Sequence, residues 1–175
     1  MVKKSIQNGV LLDNVIYSIS PDNKYRYSLG TKGKNTLYCF GINPSTATPE
    51  NYDSTIKKVV NNAREKGFDS FVMLNIYPFR ATNPKELPDT MLEQEHNKNV
   101  QIILNLVKNG STIWAAWGNL IDSRPWLKSC RDEIMQKINK NKKNIRWVKM
   151  GTLTVKNNPR HPLYLKIQDF SEFRV

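Results

Sequence analysis

The sequence predicts an α/β protein: a three-layer α/β/α sandwich around a central, mainly parallel sheet of four strands. From about residue 36 onward, short apolar runs alternate with segments whose apolar residues recur at helical spacing, which is the pattern of βαβ units covered on both faces. Polar motifs directly follow several of the apolar runs. Because loops at the carboxyl ends of parallel strands line a common crevice, these motifs predict one shared site.

The chain of 175 residues fits one domain over 1–175, with an N-terminal edge segment at 1–35 and a core at 36–170. Within the edge segment, residues 15–29 predict a strand pair or an edge strand around the turn Pro21-Asp22-Asn23. The core strands are predicted at 37–42, 70–74, 112–117 and 145–150.

Amphipathic helices are predicted to connect the core strands. The first begins at Asp53, a residue type favoured at helix N-termini, and stops at Gly67. The second follows a proline-containing loop and ends at Gly110. The third begins at Pro125, because proline is favoured in the first helical turn.

Net charge is the strongest compositional signal, since 27 Lys and Arg residues against 15 Asp and Glu residues give +12. A field of that sign attracts polyanions, so nucleic acid is the leading partner class and an anionic membrane surface the second. The same excess also fits a protein that uses it for solubility or to match an acidic partner protein. A basic cluster near the third helix end and the fourth strand is interpreted either as phosphate contacts or as a solvated face: Lys137, Lys140, Lys142, Lys143, Arg146 and Lys149.

The cysteines and the N-terminus exclude several classes of protein. Cys39 and Cys130 form no CxxC pair and have no histidine at metal-ligand spacing, so both are predicted to be buried packing residues. Asp13 and Asn14 interrupt the apolar stretch near the N-terminus, so neither a signal peptide nor a membrane span is predicted. We therefore expect a cytoplasmic monomer that acts without a metal ion or an organic cofactor.

The motif Gly41-Ile42-Asn43-Pro44-Ser45-Thr46 follows the first core strand. Glycine there lets a ligand approach the backbone, proline stiffens the turn, and Asn43 can present its amide to the crevice. The competing interpretation is an Asn-Pro turn whose serine or threonine begins a helical turn. Asn75 ends the second core strand, and its amide is either a structural group or a reader of a pyrimidine edge.

Two further residues are candidates for proton transfer or charge stabilisation. His161 lies between Arg160 and Pro162, where an imidazole can donate to an oxyanion or move a proton, although a loop histidine is often just exposed. Asp53 is either a general base or the cap of the helix that it begins, and its residue type favours the cap. Asn43 accepts no proton at neutral pH, so it can only position water.

The order of these motifs resembles the uracil-DNA glycosylase superfamily, and the resemblance implies its fold. Members of that superfamily carry GINPG or GQDPYH after the first strand, an LLLN strand, a WG strand and a terminal HPSPL loop. This chain has GINPS at 41–45, an apolar strand that ends at Asn75, AWG at 116–118 and HPLYL at 161–165.

A second resemblance is more specific and covers roughly residues 24–166. The motifs that carry it are NPSTA at 43–47, DST at 53–55, RAT at 80–82, WG at 117–118 and PRHPLY at 159–164. These motifs resemble those of a bacterial and phage domain family known as DUF1643.

The glycosylase resemblance implies a role for each residue that matches. Asn43 lies at the position of the residue that orients the attacking water. Asn75 matches the residue that hydrogen-bonds the flipped base, and His161 matches the one that stabilises negative charge on the departing pyrimidine. Leu165 falls at the position of the apolar wedge that is inserted into the duplex.

Some parts of the superfamily's site have no direct match in this chain. HPLYL lacks the serine that clamps phosphate, so that contact is expected from Arg160, Tyr164 or Lys166. The aromatic side chain that stacks on the base is expected among Tyr52, Tyr77 and Phe79. Further contacts to the base are expected from Gly41 and Ile42. Further contacts to DNA are expected from Ser45, Thr46, Arg80, Trp117 and Gly118.

The predicted function is a DNA glycosylase-like activity that hydrolyses the N-glycosidic bond of a modified or damaged pyrimidine-type base in DNA, such as a phage hypermodified base. Negative charge develops on the leaving base in such a reaction, so a preorganised donor can supply much of the catalysis once the base has been extruded. The alternatives are a catalytically inactive nucleic-acid-binding module of the same fold and a hydrolase of free nucleosides or nucleotides. DNA repair, nucleotide metabolism and defence against phage DNA all remain open as roles.

Overall fold

The computed structural model describes residues 6–7, 10–11 and 14–174. Within these residues, two short strands pair with each other, and seven strands form one mixed sheet. The short strands are β1 (Ile6–Gln7) and β2 (Val10–Leu11). The strands of the large sheet are β3 (Val15–Ile19), β4 (Arg26–Thr31), β5 (Thr36–Gly41), β6 (Ser70–Asn75), β7 (Thr112–Ala115), β8 (Arg146–Met150) and β9 (Phe170–Glu172).

The sheet is larger than the sequence predicts. Its strand order is β3-β4-β6-β5-β7-β8-β9, and only the central strands β6, β5, β7 and β8 are parallel to their neighbours there. The prediction of a four-stranded sheet is therefore wrong in extent, because antiparallel strands extend the sheet on both sides. The predicted strand pair within 15–29 is confirmed as the antiparallel hairpin β3–β4, whose turn residue Asn23 has φ 57°.

The connecting helices follow the sequence signals. They are α1 (Ser54–Glu65), α2 (Glu93–Leu106) and α3 (Pro125–Asn141). Asp53 caps α1, since its Oδ1 accepts the Ile56 N–H at 2.9 Å, and Pro125 occupies the first turn of α3. None of the helices in the described ranges is both long and apolar enough to cross a bilayer.

The helices cover both faces of the sheet. Side chains alternate along each strand, so Cys39 of β5 packs with α1, whereas its neighbour Phe40 packs with α2 and α3. The cysteines are confirmed as buried packing residues: Cys39 is fully buried, and Cys130 of α3 is 2 % exposed. Burial raises the pKa of both thiols, to about 12 for Cys130.

The topology determines where a ligand can bind. From β5 the chain crosses through α1 to β6 on one side, and then through α2 to β7 on the other side of β5. The loops after β5 and β7 therefore diverge to opposite faces, which opens a crevice at the carboxyl ends of these strands. The loop after β6 supports the loop after β5, because the N–H groups of Ile76 and Tyr77 donate to the carbonyls of Gly41 and Ile42.

Candidate functional site

A cavity of about 860 Å³ lies at the carboxyl ends of the parallel strands. Its walls are the loop after β5, the first turn of α1, the loop after β6, the turn after β7 and the loop after β8. Buried residues form its floor, including Arg26, Gly41 and Met73, and exposed residues such as Tyr164 form its mouth. The motifs at the ends of β5 and β7 and in the loop after β8 thus converge on one space.

Asn43 is held on the cavity wall by its amide nitrogen. Nδ2 donates to the carbonyl of Pro44 at 3.0 Å and to the carbonyl of Ala81 at 2.8 Å, which uses both of its hydrogens. Oδ1 has no hydrogen-bond partner among the described residues. Asn43 therefore presents a hydrogen-bond acceptor, and an acceptor is what holds and orients a water molecule.

His161 faces the same cavity as a neutral imidazole. The Leu163 N–H donates to its Nδ1 at 3.3 Å, which places the ring proton on Nε2. Desolvation lowers the pKa of His161, and the negative charge of Asp53 partly opposes that shift. Nε2–H has no acceptor within the described chain, so it is free to donate to a ligand.

Gly118, the glycine of the Trp-Gly pair, lies directly against His161. Gly118 has φ 65°, and a Cβ atom placed on it would lie 3.2 Å from Cβ of His161. Its N–H donates to the carbonyl of Pro159 at 2.9 Å, which ties the turn after β7 to the histidine loop. A glycine here provides both the left-handed backbone and the space that His161 occupies.

Asp53 both caps α1 and lines the cavity. Oδ1 takes the Ile56 N–H, and Oδ2 has no partner in the described part of the chain. The helix-cap interpretation is confirmed. The general-base interpretation remains compatible with this geometry, because one carboxylate oxygen stays available.

Arg26 is a lining residue that the sequence analysis did not identify. It is 2 % exposed, and burial together with the neighbouring Arg80 lowers its pKa to about 10, so the guanidinium stays charged at neutral pH. Nη1 donates to the Ala47 carbonyl at 3.1 Å, Nη2 donates to Asn75 Oδ1 at 3.4 Å, and Nε has no acceptor. Its sequence signal was an arginine between Tyr25 and Tyr27, two tyrosines that become buried in the hairpin next to the core strands.

Asn75 lies behind the cavity floor and is not part of its wall. It is 1 % exposed, and its buried Nδ2 has no acceptor. That atom lies 3.0 Å from the position that a Cβ on Gly41 would take, so a side chain at position 41 would press against it. Asn75 can therefore reach a ligand only at the floor, beside Gly41 and Arg26.

The predicted base-binding residues divide into two groups. Gly41 and Ile42 line the cavity. The aromatic candidates for base stacking do not: Tyr77 is fully buried against Trp126, Tyr52 packs edge-on against Phe71, and Phe79 packs against Tyr25.

The predicted DNA-contact residues divide in the same way. The cavity-lining members are Ser45, Thr46, Trp117, Gly118, Arg160 and Tyr164. Arg80 lies outside this cavity and holds the Ser45 and Ala47 carbonyls with its guanidinium. Leu165 is 4 % exposed in the core beside α1, and Lys166 is exposed away from the cavity. Leu163, which was not predicted, is 38 % exposed on the wall next to Tyr164.

The basic cluster does not line the cavity. Lys140, Lys142 and Lys143 lie at the end of α3 or just beyond it, and Arg146 begins β8. They therefore lie at the amino ends of the parallel strands, whereas the cavity lies at the carboxyl ends. In the described ranges no group of three His, Cys, Asp or Glu side chains is placed to hold a metal ion.

Comparison with known proteins identifies the family of this chain. A family model described as "Protein of unknown function (DUF1643)" matches residues 26–163. No curated protein and no solved structure matches the chain significantly. The match spans the cavity's walls from Arg26 to Leu163 and well over half of the sequence, so the chain belongs to the DUF1643 family.

Proposed function

We propose that this protein is a DNA glycosylase-like enzyme that hydrolyses the N-glycosidic bond of a modified or damaged pyrimidine-type base in DNA, with a uracil-DNA glycosylase-like fold. One observation carries the proposal. Asn43 and His161 reach one cavity from loops that follow different strands, and each has a single unused polar atom there. The cavity volume of about 860 Å³ lies in the range of about 300–1,000 Å³ usual for small-ligand sites.

The two unused atoms have complementary chemistry. Asn43 Oδ1 accepts a hydrogen bond, so it orients a water molecule for attack on the sugar carbon. His161 Nε2–H donates one, so it stabilises the negative charge that develops on the departing base. Asp53 Oδ2, on the same wall, accepts the proton that the attacking water loses.

The mouth of the cavity suits an extruded nucleotide. Leu163 is 38 % exposed and Tyr164 is 82 % exposed, side by side in a short helical turn. An exposed apolar pair at that position fills the space that a flipped base leaves in a duplex. This assigns the wedge to Leu163 and Tyr164, because Leu165 is packed in the core. Arg160, which is exposed beside them, donates to Thr152 through Nε and Nη2, and its Nη1 is left to contact phosphate.

The test is mass spectrometry of bases released from single- and double-stranded oligonucleotides that contain uracil or natural or phage-modified pyrimidines. We expect one such base to be released by the wild type. His161→Ala should slow release by about 10²–10³-fold, the usual effect of removing one preorganised donor. Asn43→Ala should abolish release, and DNA affinity should be largely kept in both variants.

Matched controls separate the alternatives. Lys140 lies at the amino ends of the parallel strands, away from the cavity. The Lys140→Ala variant should therefore release base at the wild-type rate. Binding of modified DNA without any base release would contradict the enzyme and favour the inactive binding module. Turnover of free nucleosides or nucleotides that needs no polymer and responds little to salt would favour the third function.

A further inference from the structure

Two side chains that are in contact beneath the cavity each carry a buried hydrogen-bond donor with no acceptor. Nε of Arg26 and Nδ2 of Asn75 are both fully buried and unpaired in the described chain. The two side chains are in contact, since Nη2 of Arg26 donates to Oδ1 of Asn75. Most buried donors in folded proteins are satisfied, and Arg26 lines the cavity, so its unpaired Nε indicates an acceptor that a ligand would supply.

The charge of Arg26 is compensated only in part, by the attraction of the nearby Asp53 carboxylate. Arg26 forms no ion pair among the described residues, and the acceptors that it does use are a carbonyl and an amide oxygen, both neutral. Arg80 donates to the same Ala47 carbonyl and brings a second positive charge close by. A buried cation is strongly disfavoured unless an opposite charge compensates it, and neutral acceptors do not do so.

The surrounding wall adds further attraction for an anion. Ser54 and Thr55, in the first turn of the twelve-residue helix α1, line the cavity. First-turn N–H groups have no intrahelical acceptor, and the helix N-terminus carries partial positive charge. Asp53 is the acidic residue on the described wall, and its negative charge offsets part of this attraction.

We propose that the cavity floor at Arg26, with Asn75 directly behind it, binds an oxyanion of the ligand, and that the released base carries this oxyanion as a negatively charged substituent. The second part rests on the proposed function. Arg26 is only 2 % exposed. Arg26 lies at the floor of the cavity, which an inserted base reaches but a DNA backbone phosphate, held at the mouth, does not. The oxyanion is therefore expected on the base. The phosphate of a free nucleotide is the other source of the same chemistry.

The experiment compares substituents of nearly equal shape and different charge. Oligonucleotides with a single 5-carboxycytosine or 5-formylcytosine are tested for binding and for base release. We expect the carboxylate to bind at least about tenfold more tightly to the wild type, and Arg26→Gln to abolish that preference. Arg26→Lys, which keeps the charge, should retain part of it. Arg160→Gln, at the exposed mouth, should weaken binding of both oligonucleotides equally.

Two further measurements identify the source of the anion and keep the proposal testable if a variant does not fold. CMP and cytidine are compared in the same way, and a preference for CMP that Arg26→Gln abolishes would assign the floor to a free nucleotide. Inorganic phosphate should raise the Tm of the wild type more than chloride at equal ionic strength. That wild-type measurement and the wild-type substituent preference stand even if Arg26→Gln does not fold.

The outcomes also separate this inference from the proposed function. Release of a neutral base, with equal binding of both substituents and no Tm response to phosphate, would overturn the anion site and leave the glycosylase intact. A carboxylate preference without any base release would support the anion site and count against the glycosylase. An equal loss of rate on neutral and charged bases in Arg26→Gln would overturn a permanent anion site, because Arg26 would then act on charge that develops during the reaction.

Discussion

The two ends of the parallel sheet both carry positive charge, but in opposite surroundings. At the amino ends, Lys140, Lys143 and Arg146 are exposed to solvent. At the carboxyl ends, Arg26 is buried with only neutral partners. Solvation compensates the exposed charges, whereas the buried charge is compensated only in part, by the attraction of Asp53. The basic residues that cluster in the sequence therefore lie at the amino ends of the strands, whereas the buried cation with an unpaired donor lies at the carboxyl ends.

Backbone hydrogen bonds tie the loops together at both ends of the sheet. At the amino ends, Gly110 N–H donates to the Lys143 carbonyl, Lys143 N–H donates to Asn109 Oδ1 and Arg146 N–H donates to the Ser111 carbonyl. At the carboxyl ends, the loops are also tied together, but they enclose a cavity with unpaired side-chain atoms. The loops at the amino ends pack against one another, whereas the loops at the carboxyl ends leave a cavity that is large enough for a ligand.

An Asn-to-Asp substitution at each end should produce the largest difference between them. In Asn43→Asp, a carboxylate replaces the amide that donates to two carbonyls, so repulsion and unpaired acceptors should lower the free energy of unfolding by about 1–3 kcal/mol. Base release should fall at least about tenfold, because the cavity wall at residue 43 shifts when its bonds to the Pro44 and Ala81 carbonyls are lost. Asn109→Asp keeps the oxygen that accepts the Lys143 N–H, so its stability should be unchanged. Chemical denaturation and the release assay measure both, and equal stability of the two variants would show that the Nδ2 bonds do not hold the wall.

A Gly-to-Ala substitution at each end isolates the contact between Gly118 and His161. Gly118 has φ 65° and Gly110 has φ 76°, so both variants should lose about 1–3 kcal/mol of stability from backbone strain. Nothing lies within 4 Å of a Cβ on Gly110, whereas a Cβ on Gly118 meets His161. Gly118→Ala should therefore also slow base release severalfold, because His161 must move. An unchanged rate in Gly118→Ala would mean that the position of His161 does not matter to turnover.

Local patterns were sufficient to predict the parallel centre of the sheet. Runs such as 70–74 are apolar throughout, and the segments between the runs have helical spacing, an Asp cap or a first-turn proline. These signals depend on neighbouring residues only. The convergence of Asn43 and His161 was also predictable, because parallel strands place their carboxyl ends together whatever the connecting loops do.

The parts that sequence reasoning missed depend on pairing between distant segments. β9 is short, and only its pairing with β8 makes it a strand. Arg26 reaches the cavity because β4 joins β6 in antiparallel orientation, which brings the start of β4 to the carboxyl end of β6. Leu165 and Leu163 are two residues apart in one loop, and only tertiary packing decides that Leu165 enters the core.

The pH dependence of base release tests the neutral imidazole at the carboxyl end. The pKa of His161 is lowered by desolvation, so the ring should stay neutral at pH values where an exposed histidine is half protonated, near 6.5. The rate should be constant from pH 8 to about 6.5 and fall only at lower pH, when Nδ1 protonates and can no longer accept the Leu163 N–H. The unfolded state binds this proton more readily, so stability should also fall as the pH drops below about 6.5.

The matched variant for this profile is His161→Gln, which cannot titrate. It should show a low rate with no such decline, and its stability should lose the contribution that His161 makes to the pH dependence. A wild-type rate that already falls between pH 8 and 7 would contradict a lowered pKa.

Removal of the exposed charges at the amino ends should have the smallest effect of all. Each phosphate contact contributes about 0.9 to the slope of log Kd against log salt concentration for duplex DNA. If DNA docks at the cavity mouth, Arg160→Gln should reduce that slope by about one contact. The triple variant Lys140→Gln, Lys142→Gln, Lys143→Gln should leave the slope and the release rate nearly unchanged, although it removes more charge. A loss of two or three contacts in the triple variant would instead place the polymer across the amino ends, and the cavity would then have to act on a ligand that does not stay attached to that DNA.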